Sequence, residues 1–424
     1  MIGILLRFAM LQRVIMGTER NENIEYYKKL AVEHQVDVLF YCTGRIGQKK
    51  VRGYKYSYKT QSFHRSHVDI PKVNLVRTIL STSQYFLLKK VAAKYSVIFL
   101  NLVKGRDKYK VYTYLKKMQD IKDNIPETAR LSYRKLLFGL KESKKVVLKP
   151  SSGSLGRGIY TIERFNYHYL VSFISNGKQK KTKLPLYKLN DFYKSCFSSG
   201  KMYLIQPYLH FKLYEGKKFD VRTSVQKGHN GQWSVTGIVT RVAGGKKFVT
   251  NVAQGGKVVA YKKVESTLSP EIKNKIYALS LQIAQHIETL NPSTMDLGLD
   301  IGIDEQEQLW FIEANYCDQR YAYKESMNFA MWERSYRYPF EYALYIYKKL
   351  NNKAKRFYEV MESQKQKSGG KEIAHECAEV LKEHHENLEN DGKNKDENQE
   401  IGQEEERFKR STLINWNELK NEEE

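Results

Sequence analysis

Val146-Val147-Leu148-Lys149-Pro150-Ser151-Ser152-Gly153-Ser154-Leu155-Gly156-Arg157-Gly158 is an apolar strand with one lysine that runs into a turn of three glycines and three serines. A second strand follows at once, Ile159 to Glu163. Glycines let successive backbone N–H groups converge on a phosphate, and a lysine on the adjoining strand adds a compact positive charge. The segment is not a Walker A loop, because GxxxxGK[ST] is absent and a strand rather than a helix comes next. Read alone it is as readily a Gly/Ser hairpin loop. Its meaning depends on its surroundings.

Downstream, Met202–Leu209, Phe219–Gln226, Trp233–Val242 and Leu309–Asn315 all have strand texture. Upstream lie helical stretches at Tyr109–Ile121 and Ser132–Lys141, separated by a loop bounded by Pro126. The first hundred residues alternate short apolar runs (Gly3–Phe8, Val36–Tyr41, Val97–Leu102) with helical segments (Asn23–His34, Val76–Lys94) and predict a small α/β domain. The N-terminal run through Gly17 is broken by Arg7 and Arg13 and reads as a buried first strand rather than a leader. No stretch approaches about 18 uninterrupted apolar residues, so no membrane span is expected. Together these predict an α/β (α+β) chain.

Two further constellations carry chemistry. Leu297–Ile303 and Leu309–Asn315 are strands joined by a polar turn, and pairing Asp304 with Leu309 puts Asp300 opposite Glu313, with Asn315 on the same face. Like charges placed so are destabilising unless something positive sits between them. Two carboxylates and an amide oxygen suit a hard cation, and Mg²⁺ fits best. The second is Asp220-Val221-Arg222, with Arg241 on the next strand and Asn251 and Gly255-Gly256 beyond it. Residues at i and i+2 of a strand share a face, so carboxylate and guanidinium enter one cleft, where arginine binds anionic oxygens bidentately. A structural ion pair reads equally well at this point.

The 424 residues suggest two or three domains, and 41% hydrophobic residues with 31 Tyr exclude global disorder. Four scattered cysteines without a CxxC suggest neither a structural zinc site nor a disulfide framework, and make a reducing cytoplasm the expected compartment. The net charge of +25 is a composite: residues 363–424 carry 10 Lys+Arg against 17 Asp+Glu, leaving 62 against 30 on the remainder. The basic part calls for an anionic partner. The acidic tail, with few large apolar side chains, is expected to be partly disordered or a fraying helix.

In this order, the features resemble the ATP-grasp superfamily: strand lysine, small-residue loop, Gln206-Pro207-Tyr208, Asp-x-Arg, Arg, Asn with Gly-Gly, then Asp and Glu-x-Asn. The texture is most similar to the YheC/YheD family, associated with endospore coats, through Arg106-Asp107-Lys108, Ile125-Pro126-Glu127-Thr128 and Lys149 to Ile159. Asp220 to Gly256 also looks like the ribosomal-protein glutamate ligases. The resemblance covers about Lys104 to Lys349. It implies a pre-ATP-grasp domain at 1–104, an ATP-grasp domain at 105–350 and a charged tail at 351–424.

The resemblance also implies roles. Lys108 and Lys149 would contact the ATP phosphates, under the loop Ser151, Ser152, Gly153, Ser154, Gly156 and Gly158. Gln206, Pro207 and Tyr208 would form a hinge whose backbone reads the adenine edge, and Asp220 would contact ribose. Asp300, Glu313 and Asn315 would hold magnesium, two ions by analogy. Arg241 would stabilise the transferred phosphoryl group, while Arg222 or Asn251 orients phosphate or substrate. Tyr316-Cys317 stand where many relatives carry proline. The implied activity is ATP-dependent carboxylate–amine ligation through an acyl-phosphate, with a phosphotransferase or an idle nucleotide-binding coat scaffold as alternatives. An acidic peptide or other polyanion is the expected substrate class ahead of nucleic acid, since no RRM, KH or zinc-finger signature occurs. Substrate choice is expected from loops around 165–200 and the first domain. The family adds a homodimer and a coat-associated location.

Overall fold

Three sheets organise the computed structural model, which describes residues 1–367 apart from 20–21, 48, 105–106, 154–155, 176–177, 198–199, 246–248 and 319. Arg106, Ser154 and the acidic tail beyond residue 367 thus lie outside the described residues. The first sheet holds β1 (Ile2–Leu5), β2 (Val38–Tyr41), β3 (Lys50–Ser57), β4 (Ser62–Asp69), β5 (Val73–Val76) and β6 (Ile98–Leu100), in the order β4-β3-β2-β1-β5-β6. Its central parallel strands β1, β2 and β5 are buried at every position because both faces are covered, and the buried Asn74 of β5 is satisfied by the Tyr41 hydroxyl. Ile2, Ile4 and Phe40 face one cluster, and Leu5, Leu39 and Tyr41 face another.

Helices α1 (Phe8–Ile15), α2 (Ile24–Glu33) and α3 (Thr82–Tyr95) accompany this sheet. The reading of the N-terminal run as one strand is corrected: β1 stops at Leu5, and Leu11 and Val14 are buried at helical spacing on α1. Helix α3 begins later than its apolar pattern suggests, where Ser81 and Gln84 form a capping box. The residues before it supply β5. The β3–β4 hairpin has a mostly exposed outer strand, and its weak alternation hid it.

Helices α4 (Lys108–Leu115) and α5 (Tyr133–Glu142) lead into the second sheet. It contains β7 (Ala129–Arg130), β8 (Lys145–Pro150), β9 (Tyr160–Arg164), β10 (His168–Ser175), β11 (Lys178–Pro185) and β12 (Tyr203–Pro207), ordered β11-β10-β9-β8-β12-β7. With α6 (Leu189–Phe197), β10 and β11 occupy the region expected to be substrate loops. Val146 and Leu148 pack against Leu136 and Leu140 of α5, which turns Val147 and Lys149 to the opposite face.

The third sheet is antiparallel, ordered β16-β15-β14-β17-β18 with β13 on β14. Its strands are β13 (Leu213–Tyr214), β14 (Lys217–Lys227), β15 (Trp233–Val242), β16 (Lys257–Ala260), β17 (Asp296–Ile303) and β18 (Leu309–Asn315). Helix α7 (Tyr261–Glu265) and the longer α8 (Ile272–Leu290) cover one face through Ile276, Ile283 and Ile287. After α9 (Tyr321–Glu325), α10 (Phe329–Lys367) packs Tyr336 and Phe340 into the same cluster as Ile2 and Phe40. That helix runs on through residue 351, where the sequence reading begins the tail.

Candidate functional site

The strand lysine is buried. Lys149 is 7% exposed, donates to the Tyr112 hydroxyl and lies 4.3 Å from that ring. Burial, with Lys108 nearby, pushes its amine pKa down to about 7. The Tyr112 hydroxyl in turn donates to the carbonyl of Ile312. Ile312 has no partner in the β17–β18 ladder, because the register shifts there. The tyrosine thus satisfies a carbonyl that a bulge sets free.

Lys108 opens α4 and pairs with Glu313 at 3.3 Å. The helix starts there because the Asp107 carboxylate accepts the N–H groups of Tyr109 (3.0 Å) and Lys110 (3.3 Å). The same oxygen accepts the Ser151 hydroxyl at 3.1 Å, and the Lys108 N–H donates to the Ser151 carbonyl at 3.1 Å. The glycine loop is therefore tied at its first residue to the helix that carries the second lysine. Ser152 and Gly153 beyond it are exposed, and Gly156 and Gly158 have φ of 65° and 72°. A Cβ on Gly156 would stand 3.5 Å from Asn251, so the loop lies against the other lobe.

Asp300 is opposite Glu313, as expected, but by a different route. Ile303 rather than Asp304 pairs with Leu309, one residue out of the expected register, and the bulge at Ile312 restores the Asp300–Glu313 pairing. Asp304 instead closes the turn, accepting N–H groups from Gln306 and Gln308 and the Trp310 indole. Asn315 pairs with Gly298 and donates to its carbonyl at 3.4 Å. Two carboxylates and an amide oxygen on one face form a donor set that a hard cation takes.

Arg222 is opposite Asp300 and Arg241 is opposite Asp220. Arg241 is bidentate on Asp220 (2.7 and 2.8 Å) and reaches Asp300 at 2.9 Å. Arg222 donates to Asp300 from Nε and to Asp318 at 3.0 Å. Burial alone would raise the Asp300 carboxyl, but the two guanidinium groups outweigh it and hold the carboxyl below the usual range. The Thr250 hydroxyl also donates to Asp220. The carboxylate that the resemblance assigned to ribose is thus placed as a brace for Arg241.

Gln206 lies opposite Val147, so it shares a face with Lys149, and it donates to the Thr128 hydroxyl at 2.7 Å. Pro207 ends β12. The Tyr208 N–H is spent on the Lys145 carbonyl at 3.0 Å, which removes that donor from any adenine edge. The Tyr208 ring lies 4.3 Å from the Lys145 ammonium and 4.2 Å from that of Lys218. Burial, with Lys145 close by, pushes the Lys218 pKa down to about 8. A cavity of about 300 Å³ opens here, lined among others by Thr161, Glu163, Lys181 and Lys217.

Sequence reading missed three residues at this site: Asp107, Tyr112 and Asp318. The first had a signal, an Asp directly before a helical stretch. Tyr112 and Asp318 had none, since their partners are distant in the chain. Elsewhere among the described residues, Glu33, His34 and Glu341 could hold a metal, but Arg337 already bridges both carboxylates. No helix among the described residues is long and apolar enough to cross a membrane.

The chain is 28% identical over 214 residues to the endospore coat-associated protein YheD of Bacillus subtilis (strain 168), covering 49% of this chain and 46% of that protein. It is 23% identical over 215 residues to YheC of the same organism, covering 49% of this chain and 59% of that protein. The match therefore spans about half the length of these relatives. Among solved structures, the ATP-grasp ligase PsnB, complexed with a phosphomimetic variant of its minimal precursor, Mg and ADP, aligns with a TM-score of 0.45 at 12% identity over 79% of this chain and 98% of that one. The family model for YheC/D like ATP-grasp matches residues 97–346, the span that holds both lysines, the glycine loop and the paired carboxylates. The chain belongs to the YheC/D-like ATP-grasp family.

Proposed function

We propose that the chain is an Mg²⁺-dependent carboxylate–amine ligase that consumes ATP through an acyl-phosphate. One observation carries this reading: two buried guanidinium groups are shared by three carboxylates, one of which stands opposite Glu313, the partner of Lys108. A buried cluster with a carboxylate in excess favours a cation. Asp300, Glu313 and Asn315 would hold Mg²⁺, which when bound neutralises phosphate charge and polarises the transferred group. Lys108, Lys149 and the backbone from Ser151 to Gly158 would take the phosphates, with Gln206 to Tyr208 and Asn251 at the lobe boundary.

The substrate carboxylate attacks the γ-phosphorus and ADP leaves. An amine then attacks the acyl carbon, phosphate departs, and the amine proton passes to solvent. Arg241, held by Asp220, faces the charge that develops on the transferred phosphoryl group, and Arg222 orients it. The loop excludes water from the hydrolysable intermediate. The likeness to coat-associated relatives and the basic 1–362 region support an acidic, coat-associated polymer or peptide as substrate. Residues 1–104 act as the pre-ATP-grasp domain and 105–350 as the ATP-grasp domain, in a cytoplasmic protein able to dimerise.

One observation favours an idle nucleotide-binding scaffold instead: both Asp300 oxygens are held by arginine. Product analysis separates the readings. Release of ADP and phosphate with an amide product, dependent on an acidic acceptor, is expected. Lys149→Ala and Glu313→Gln should each lower turnover by about 100-fold or more with unchanged circular dichroism. Phosphate retained on the acceptor would mark a phosphotransferase, and nucleotide binding without turnover would mark a scaffold.

A further inference from the structure

How the carboxylate pair can accept a cation depends on Asp300, both of whose oxygens are engaged by Arg222 and Arg241. Each oxygen keeps a further lone pair, but the two guanidinium charges beside it repel a cation, so a cation binds there more readily as the guanidinium groups turn away. Neither arginine can turn to water, since Arg222 is 9% and Arg241 8% exposed. Each, however, has a second carboxylate behind it. Arg241 is already bidentate on Asp220, while Arg222 places one N–H on Asp318 at 3.0 Å.

Asp318 is built into the fold. It is 1% exposed, its second oxygen accepts the Ser224 hydroxyl, and that hydroxyl accepts from Tyr323. Its carboxylate lies over Gly298, where a Cβ would come within 2.3 Å of Oδ1, so only glycine leaves it room. Its carbonyl accepts Arg77 at 3.0 Å, which fixes the loop to the first sheet. A carboxylate buried at this cost of desolvation needs a positive partner, and Arg222 is the one whose guanidinium it meets.

We propose that Asp318 is a positioning residue that receives Arg222 when a divalent cation occupies Asp300, and thereby sets how readily Asp300 becomes available. The inference rests on the reading of Asp300 and Glu313 as the cation pair. Neutralising Asp318 leaves two guanidinium groups facing two carboxylates, a balanced cluster in which no carboxylate draws Arg222 away from an incoming cation. Outer-sphere partners of this kind change metal affinity by about 10- to 100-fold.

The test is Mn²⁺ binding without nucleotide, followed by electron paramagnetic resonance on full-length protein, with circular dichroism as the folding control. Asp318→Asn is expected to weaken Mn²⁺ by about tenfold or more. Ser224→Ala, which keeps the charge but frees one Asp318 oxygen, is expected to show a smaller loss, and it decides the matter if Asp318→Asn does not fold. Wild-type affinity in folded Asp318→Asn, with binding abolished in Glu313→Gln, overturns the inference and leaves the cation pair standing. Absence of Mn²⁺ binding in the wild type removes both.

Discussion

Two buried networks of arginine and carboxylate lie among the described residues, and they differ in charge balance. Arg77 and Arg320 meet Glu22 and Asp296: Arg77 bonds Glu22 at 3.1 Å and Asp296 at 3.0 Å, and Arg320 bonds Asp296 at 2.7 Å. Two cations match two anions, Tyr27 and Tyr336 close around them, and the network joins the first sheet to the third. The other sets Arg222 and Arg241 against Asp220, Asp300 and Asp318. The first network is complete in itself, whereas the second carries an anion that its arginines do not neutralise. Charge balance, more than burial, separates the structural network from the proposed cation site.

The sharpest way to break that contrast is to open the balanced network. Arg77→Ala leaves Glu22 and Asp296 with one arginine between them and should lower unfolding stability by about 3–5 kcal/mol, read as a shifted urea midpoint. A loss below about 1 kcal/mol would mean that this network is not what holds the first sheet in place.

A smaller effect distinguishes the cations themselves. The arginines of both networks stay charged at any working pH, but Lys149, with its pKa near 7, does not. It is charged below that pH and neutral above it, and phosphate favours the charged form. Affinity for a non-hydrolysable ATP analogue should therefore be greatest below pH 7 and fall as pH rises, by at most about tenfold per pH unit for one proton. Calorimetry in buffers of different ionisation heat should register proton uptake on binding. A flat affinity from pH 6.5 to 8.5 would remove Lys149 from the phosphate contact.

The smallest effect sets the baseline. Arg337 pairs with Glu33 and Glu341 at the surface between α2 and α10, in the same chemistry as the buried networks but open to water. Arg337→Ala should cost no more than about 1 kcal/mol in the same urea titration. A loss as large as that of Arg77→Ala would erase the distinction drawn from burial.

Much of this was legible from local pattern. The lysine strand and its glycine turn, Asp-x-Arg, and the hairpin that opposes Asp300 to Glu313 are each short-range features, set by strand alternation and by turn residues. The cancellation at Ile312 is instructive: the expected turn register was out by one residue, and a bulge moved the pairing back. What escaped were groups whose role comes from distant partners. Tyr112 supports Lys149 and the Ile312 carbonyl, and Asp318 accepts Arg222 across 96 positions of chain.

The sequence by itself determined the residue types of the site and the faces on which they stand, because strand periodicity and turn chemistry act over a few residues. Tertiary structure alone decided the charge balance. Asp318 enters the arginine cluster across 96 positions of chain and Arg77 reaches Asp296 across 219, contacts that no local rule encodes. Which carboxylates neutralise which arginines follows from how three sheets pack, and that pairing separates a structural brace from the proposed cation site.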